Sequence, residues 1–411
     1  MPIKQALTDN TSYGNTRQSE RSGRPATQIR TLDAMFTLTA RRRSARLAVR
    51  EERGHLTYGR AETLATQWAS ALVRSGVQLG DPVIVHCDDH RQSLVAQLAV
   101  LKAGGVCVPV SREIERPGLE RIAAVSGAHA VLCSASTKAA WQSCGRLSLA
   151  LDDAGTWKKV GALRPEPALP RSAPTDAAYL LISRGNKQET SGQLVDHRAW
   201  QFALAARIRQ AGTAESMVAV CQPPTGALTL SAMWWACASG GTLVPRALAL
   251  GNMDTAVFSP EEYTRVLEAA ATASRPVGPR AIVLVGSPFP PELVERHFAA
   301  LPTTRLLAEF APAGGVLPWT AREFSPPSRS GLPDAGVGIP VPHVHVHIVD
   351  PEGHPVSPGR TGEICATGPV LPFDNIGIRA LDRKSLPAGG TLLRSGHLGR
   401  WRTDGSVEIT A

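Results

Sequence analysis

Short, mostly apolar runs along this chain alternate with longer runs whose apolar residues recur every third or fourth position. Pro82 to Cys87 (PVIVHC) and Val106 to Val110 are strand-length apolar runs. Between them, Ser93 to Ala103 has helical length and is closed by Gly104 and Gly105. Upstream, the spacing of Leu32, Met35, Phe36 and Ala40 predicts a helix. Short strands at Leu47 to Val49 and Leu56 to Tyr58 flank a turn at Arg53 and Gly54. Leu64, Trp68, Ala71 and Leu72 share one face of a helix over Ala61 to Ser75, ended by Gly76. Glu120 to Ser126, Ala130 to Cys133 and Leu149 to Leu151 continue the pattern. Apolar strands separated by helices predict an α/β fold with a parallel, doubly wound sheet covered on both faces.

A linker rich in Pro and Ala, Leu163 to Pro174, precedes a second series of the same kind. Strands are predicted at Met217 to Gln222, Thr242 to Val244, Thr255 to Phe258, Ala281 to Val285 and Arg305 to Phe310. Helices are predicted at Leu228 to Ala238, Pro260 to Ala271 and Pro291 to Leu301, with Trp234 and Trp235 in the core. After about Phe324 the chain turns to short β segments at Val344 to Val349, Gly362 to Thr367, Thr391 to Arg394 and Val407 to Ile409. These predict a small C-terminal β barrel or sandwich. The expected organisation is a disordered polar tail over 1–30, α/β subdomains over 31–174 and 175–323, and a β subdomain over 324–411.

Composition narrows the class. The chain has 411 residues, 43% hydrophobic and 19% charged, enough for a sizeable core in a soluble protein. Its net charge of +9 is carried mostly by arginine, and the densest run is Arg41, Arg42, Arg43, Arg46 and Arg50. One solvated run without further clustering argues against a nucleic-acid partner. No apolar run has the length to span a bilayer, so no membrane association is expected. Seven cysteines without a CxxC pair indicate reduced thiols and a cytoplasmic location. His343, His345 and His347 alternate with valines, which places all three imidazoles on one strand face. Zinc could bind such a face, and a solvated polar face explains it equally well.

The chemistry concentrates in Ala178 to Arg198, AYLLISRGNKQETSGQLVDHR. An apolar strand, Tyr179 to Ile182, enters a polar loop holding Gly185 and Gly192, then an apolar step at Leu194 and Val195, then a predicted helix. Glycine-exposed N–H groups in such a loop can cradle a phosphate. Lys187 supplies a cation near its middle, and Glu189 places an anion where phosphate would sit.

Several segments together resemble the large N-terminal part of the adenylate-forming superfamily, and most of all its nonribosomal peptide synthetase adenylation domains. LTYGRAETLA (Leu56 to Ala65) resembles L-T-Y-x-E-L, with Arg60 and Ala61 in place of Glu and Leu. VLKAGGVCVPV (Val100 to Val110) resembles L-K-A-G-x-x-Y-V-P, with Cys107 at the Tyr position. ASGGTLV (Ala238 to Val244), VLVGSPFPPELV (Val283 to Val294), the stretch Val337 to Ile364 and LRSGHLGRWRTDGSVEI (Leu393 to Ile409) follow in the family's order. The resemblance implies two doubly wound subdomains plus a small β barrel. It also implies ATP or AMP with magnesium, a small carboxylic acid, and a peptide-synthetase or carrier-protein partner.

By family position the nucleotide would meet Ser183, Gly185, Lys187, Gly192, Gly286, Ser287, Phe310 and His397, and the acid would meet Ala227 and Leu228. Activation joins carboxylate to ATP, which needs charge neutralisation on the triphosphate and in-line placement. Set on the family's T-S-G-S-T-G-K-P-K-G, the loop SRGNKQETSG keeps Gly185 and Gly192. Lys187 stands for the second Thr, Gln188 for the second Gly, Glu189 for the first Lys and Ser191 for the Lys beside the last Gly. Each lost charge-assisted phosphate contact costs about 1.5–3 kcal/mol.

LLAEFAPAGG (Leu306 to Gly315) lines up with N-x-Y-G-P-T-E. Phe310 keeps an aromatic for adenine and Pro312 is kept, while Ala308, Ala311, Ala313 and Gly314 replace Asn, Gly, Thr and the magnesium-binding Glu. Without that carboxylate a metal loses an oxygen ligand, and no metal site is expected. At Ser395 to Leu398 the family has T-G-D-L; its Asp accepts from both ribose hydroxyls, whereas a neutral His397 accepts one. The acid that recognises an α-ammonium group aligns on Ala227. The chain also ends at Ala411, where the family's hinge to its mobile C-terminal domain begins. Four altered sites together imply a catalytically inactive or impaired homologue, a partner or scaffold in peptide or related secondary metabolism. The alternative is an active ATP-dependent ligase with an atypical loop, or one whose C-terminal domain comes from another chain.

Overall fold

The computed structural model describes residues 29–410 except 53, 163–167, 185–189, 246–252, 272–277, 287–288, 313–315, 327–335, 373 and 378–391. The expected tail over 1–30 therefore lies almost wholly outside the described residues.

Helix α1 (Leu32–Arg42) leads to the hairpin β1 (Leu47–Glu51) and β2 (Gly54–Thr57), and then to α2 (Tyr58–Arg74). The next units are β3 (Pro82–His86), α3 (His90–Lys102), β4 (Val106–Pro109), α4 (Arg116–Ser126) and β5 (Ala130–Cys133). Helix α5 (Ala135–Ser143), strand β6 (Leu147–Ala150) and helix α6 (Ala154–Gly161) follow. Strands β7 (Ala177–Arg184) and β8 (Thr190–Asp196) precede α7 (His197–Ala211). Then come β9 (Met217–Val220), α8 (Ala227–Ser239), β10 (Thr242–Pro245), β11 (Thr255–Phe258) and α9 (Pro260–Ala271). The α/β alternation ends with β12 (Ala281–Val285), α10 (Pro291–Ala300) and β13 (Arg305–Phe310). The remaining strands are β14 (Thr320–Phe324), β15 (Gly336–Pro340), β16 (His345–Val349), β17 (Gly362–Thr367), β18 (Asp374–Gly377), β19 (Leu393–Trp401) and β20 (Val407–Ile409).

The chain divides into two compact units. The first takes the chain through Leu38, Glu62–Gln201 and Pro372–Arg379; the second takes Thr39–Ala61, Phe202–Leu371 and the C-terminal strands. In the first, seven strands run in the order β18-β8-β7-β4-β3-β5-β6. Strands β7, β4, β3, β5 and β6 pair in parallel, and β8 and β18 add antiparallel edges. Strands β3, β4 and β5 are buried nearly throughout, as the continuous apolar runs predict for strands covered on both faces. Asp89 caps α3 by accepting from the N–H groups of Arg91 and Gln92. The ammonium of Lys102 is held at 2.7 Å by Glu62 and at 2.9 Å by the Thr37 hydroxyl. Glu62 thus supplies a carboxylate two residues beyond the altered position Arg60.

The expected boundary near residue 174 is not where the units divide. Strands β7 and β8 complete the first unit's sheet, because Leu180, Leu194 and Val195 are fully buried there. Helices α5 and α6, absent from the periodicity reading, also lie in this unit. In α5 only Trp141 is buried, so the sequence shows no apolar stripe.

The second unit's thirteen strands run β16-β17-β19-β20-β15-β14-β13-β12-β11-β9-β10-β1-β2. Strands β1, β10, β9, β11, β12 and β13 are parallel, while β14, β15, β20, β19, β17 and β16 continue antiparallel. This places the predicted C-terminal β segments, and β14 across residue 323, in one ordered ladder with the α/β core. Part of the arginine run serves that core. Arg43 donates to the Gly240 carbonyl at 3.2 Å and pairs with Glu215 at 3.8 Å.

Candidate functional site

The stretch Ala178 to Arg198 folds as an antiparallel hairpin, with Ser183 opposite Ser191 and Arg184 opposite Thr190. Its connecting residues 185–189, which include Gly185, Lys187 and Glu189, lie outside the described residues. A helix N-terminus is the usual source of convergent N–H groups for phosphate. Here α7 begins only at His197, after the whole of β8. Gly192 sits inside β8 opposite Ile182, where an added Cβ would come within 2.6 Å of Leu180 Cδ1 and 3.1 Å of Ile182 Cδ1. Close packing of neighbouring side chains therefore gives Gly192 a structural reason of its own.

The remaining predicted positions belong to the second unit. Gly286 ends β12 at φ 133 and donates its N–H to the Glu309 carbonyl at 3.0 Å. That conformation favours glycine and ties β12 to β13. Ser287, Ala313 and Gly314 lie outside the described residues. Phe310 closes β13 with its ring fully buried. Trp319 stands edge-on to it, with centroids 6.1 Å apart, and His397 does the same at 5.5 Å. The backbone N–H of Trp319 also donates to the Phe310 carbonyl at 2.8 Å. Ser395 Oγ accepts from the His397 N–H at 3.0 Å, and Glu363 accepts from the Gly396 N–H at 3.1 Å. Arg394 holds that same Glu363 carboxylate at 2.6 Å, so an ion pair anchors the turn that presents His397.

Ala227 opens α8 behind the cap residue Gly226, and Leu228 beside it is buried. One turn further along, Ser231 meets the guanidinium of Arg207. Arg207 in turn grips Glu309, through Nε to Oε1 at 2.8 Å and through Nη2 to Oε2. Both side chains are only 3% exposed. The guanidinium also lies 5.6 Å from the Trp235 ring centroid. Sequence reading did not single out Arg207, Glu309, Ser231 or Trp319. A signal for Glu309 was present, an acid within the apolar run Leu306 to Phe310 that needs a partner, whereas Arg207 shares its helix with Arg198 and Arg209 and does not stand out.

The three histidines do not share a strand face. His343 precedes β16 at φ 69, its ring 4.4 Å from that of Phe202. His347 Nε2 lies 3.1 Å from the Thr367 hydroxyl. Burial, followed by the neighbouring His345, lowers the pKa of His347. Among the described residues no group of three His, Cys, Asp or Glu side chains converges to hold a metal ion.

An ATP adenine ring needs an exposed aromatic face and its ribose needs paired acceptors. Phe310 is fully buried, with Trp319 and His397 edge-on to its ring, and His397 brings one imidazole rather than a carboxylate. The described residues do not fit the nucleotide in that manner.

A family model described as AMP-binding enzyme matches residues 36–372. The phosphinothricin tripeptide synthetase PhsC of Streptomyces viridochromogenes is 29% identical over 396 residues, covering 92% of this chain and 36% of that protein. Tyrocidine synthase 1 of Brevibacillus parabrevis is 24% identical over 94% of this chain and 36% of its own length. The chain thus spans about a third of the length of these curated relatives. Among solved structures, the nonribosomal peptide synthetase FmoA3 in an AMPPNP-bound form superposes with a TM-score of 0.83 at 20% identity, over 100% of this chain and 44% of that one. The N-terminal subdomain of NpsA from Klebsiella oxytoca, in complex with 3-hydroxyanthranilyl-AMSN, gives 0.77 at 16% identity over 93% and 100%. Both likenesses concern the fold.

Proposed function

The chain belongs to the AMP-binding enzyme family, and from that premise we propose that it is an adenylation-domain homologue that acts by binding rather than by catalysis. Its role is that of a partner or scaffold for a peptide synthetase or its carrier protein, in a reducing cytoplasm. The observation that carries this reading is the environment of Phe310: a fully buried ring with His397 edge-on to it at 5.5 Å, where a nucleotide would need an open face and a carboxylate. Ala308 at the Asn position and Ala227 at the acid position support it. So does the loop's exchange of cations for Glu189 and Ser191. The seven cysteines are all unpaired, in keeping with a reducing compartment. No helix among the described residues is long and apolar enough to cross a membrane.

In this reading Ser183, Gly185, Lys187, Gly192, Gly286, Ser287, Phe310 and His397 are the family's nucleotide positions in the sequence, no longer used to hold ATP. Ala227 and Leu228 mark the acid pocket. The test is ATP–pyrophosphate exchange over a panel of carboxylic and amino acids, with Lys187→Ala as control. The expected result is no acid-dependent exchange above a protein-free blank for any acid. Acid-dependent exchange that Lys187→Ala abolishes overturns the proposal in favour of an active ligase with an atypical loop.

A further inference from the structure

Ala227, Leu228, Ser231 and Trp235 lie on one face of α8, because residues three and four apart in a helix are neighbours. The first two mark the acid pocket in the reading above, on which this inference rests. The second two bracket the guanidinium of Arg207, which Ser231 accepts from and Trp235 faces. Opposite stands Glu309, between Ala308 and Phe310 on β13 and pointing to the other face of the sheet from both. The stretch of α8 next to the expected pocket therefore meets no empty, apolar surface. It meets a forked, two-bond ion pair whose members are each 3% exposed.

We propose that the Arg207–Glu309 pair, with Ser231, is a built-in occupant of the acid pocket and closes it to apolar acids and free amino acids. An entering side chain has to part the two charges, and the partner left behind remains buried without compensation. That penalty is the large one for ion pairs, since replacing both members together is far milder than removing one. Arg207 therefore determines specificity by exclusion: its Nε and Nη2 are committed to Glu309 and its Nη1 to Ser231. The pair also accounts for a helix rich in apolar residues carrying a serine at this position.

The test removes both charges at once. Thermal melting and calorimetric titration are run without ATP, using benzoate, hexanoate, succinate and phenylalanine as probes, on the native chain and on Arg207→Met/Glu309→Leu. The native chain is expected to bind none of them. The double variant is expected to bind benzoate or hexanoate at least ~10-fold more tightly, and to lose that gain when Leu228→Trp fills the pocket. Arg207→Leu/Glu309→Met serves if the first variant does not melt cooperatively. Native binding of any probe that Leu228→Trp abolishes overturns the proposal. So does a cooperatively folded double variant that binds no probe. Because no ATP is present, these outcomes are separate from pyrophosphate exchange: native exchange overturns the non-catalytic reading, and native acid binding without exchange overturns only the closed pocket.

Discussion

The indole N–H of Trp141 donates to Nδ1 of His86 across 2.9 Å, and both side chains are buried. An imidazole that accepts at Nδ1 carries its proton on Nε2, and Nε2 is buried with no hydrogen-bond partner among the described residues. Charging this ring would convert Nδ1 from acceptor to donor against the indole.

Acid lability follows. Burial lowers the pKa of His86 from 6.5 to about 4, and burial does the same to His197. Burial also lowers His297, whose Nδ1 lies 2.5 Å from the Tyr263 hydroxyl. A histidine depressed in the folded state binds protons more readily when unfolded. Its contribution is therefore complete above pH 6.5 and is lost as pH falls toward 4. Each of His86 and His197 contributes up to about 3 kcal/mol to this fall. Melting temperature measured from pH 7.5 downward should drop most steeply within that window. His86→Asn, whose side-chain oxygen takes the place of Nδ1, should flatten the slope, and an unchanged slope refutes the assignment.

Removing one member of the Arg207–Glu309 pair should cost far more than removing both. Glu309→Leu leaves a guanidinium buried beside Ser231 and Trp235, with an expected loss of about 3–5 kcal/mol. Arg207→Met/Glu309→Leu should melt within a few degrees of the native chain. A double-mutant cycle by urea denaturation measures the coupling, and additive single effects contradict a buried pair.

Much of the fold is legible in the residues themselves. PVIVHC, apolar but for His86, the strand-length run at Val106 and AIVLV at Ala281 are nearly unbroken apolar runs, and all three become interior parallel strands. Helix α5 was not legible, because Trp141 is its one buried residue. Half of β8 was not, because Thr190 to Gln193 reads as polar loop although Thr190 and Gln193 are buried. At the site, family resemblance picked out Phe310, His397 and Ala227. Their surroundings depend on contacts such as Arg207 to Glu309, 102 residues apart, and no local period encodes such a separation.

Thiol reactivity should be low in the native chain. Burial raises the pKa values of Cys87 and Cys107 well above the usual range, and it pushes Cys133, Cys237 and Cys365 up to about 12. The thiolate is the reactive form, so iodoacetamide at pH 8 should spare these five. Half-buried Cys144 should label first, followed by Cys221, whose thiol is pushed up to about 11. Mass spectrometry of labelled peptides checks the order, and denaturant should release all seven. Fast native labelling of Cys87 or Cys107 contradicts their burial.

Gly192 separates a packing role from a phosphate role within the hairpin. An added Cβ meets the ends of Leu180 and Ile182 at 2.6 and 3.1 Å, and both side chains pack in the unit's apolar core, so they must give way within it. Gly192→Ala should therefore cost about 1–2 kcal/mol, the usual range for mild overpacking. Gly192→Ala/Leu180→Val, which withdraws the nearer methyl group, should recover part of that loss. If Gly192 instead served the phosphate, Gly192→Ala would leave stability intact and alter only nucleotide affinity. Urea denaturation of the single and double variants, with and without ATP–magnesium, distinguishes the two. A stability loss that is independent of nucleotide and partly rescued by Leu180→Val establishes packing as the reason for this glycine.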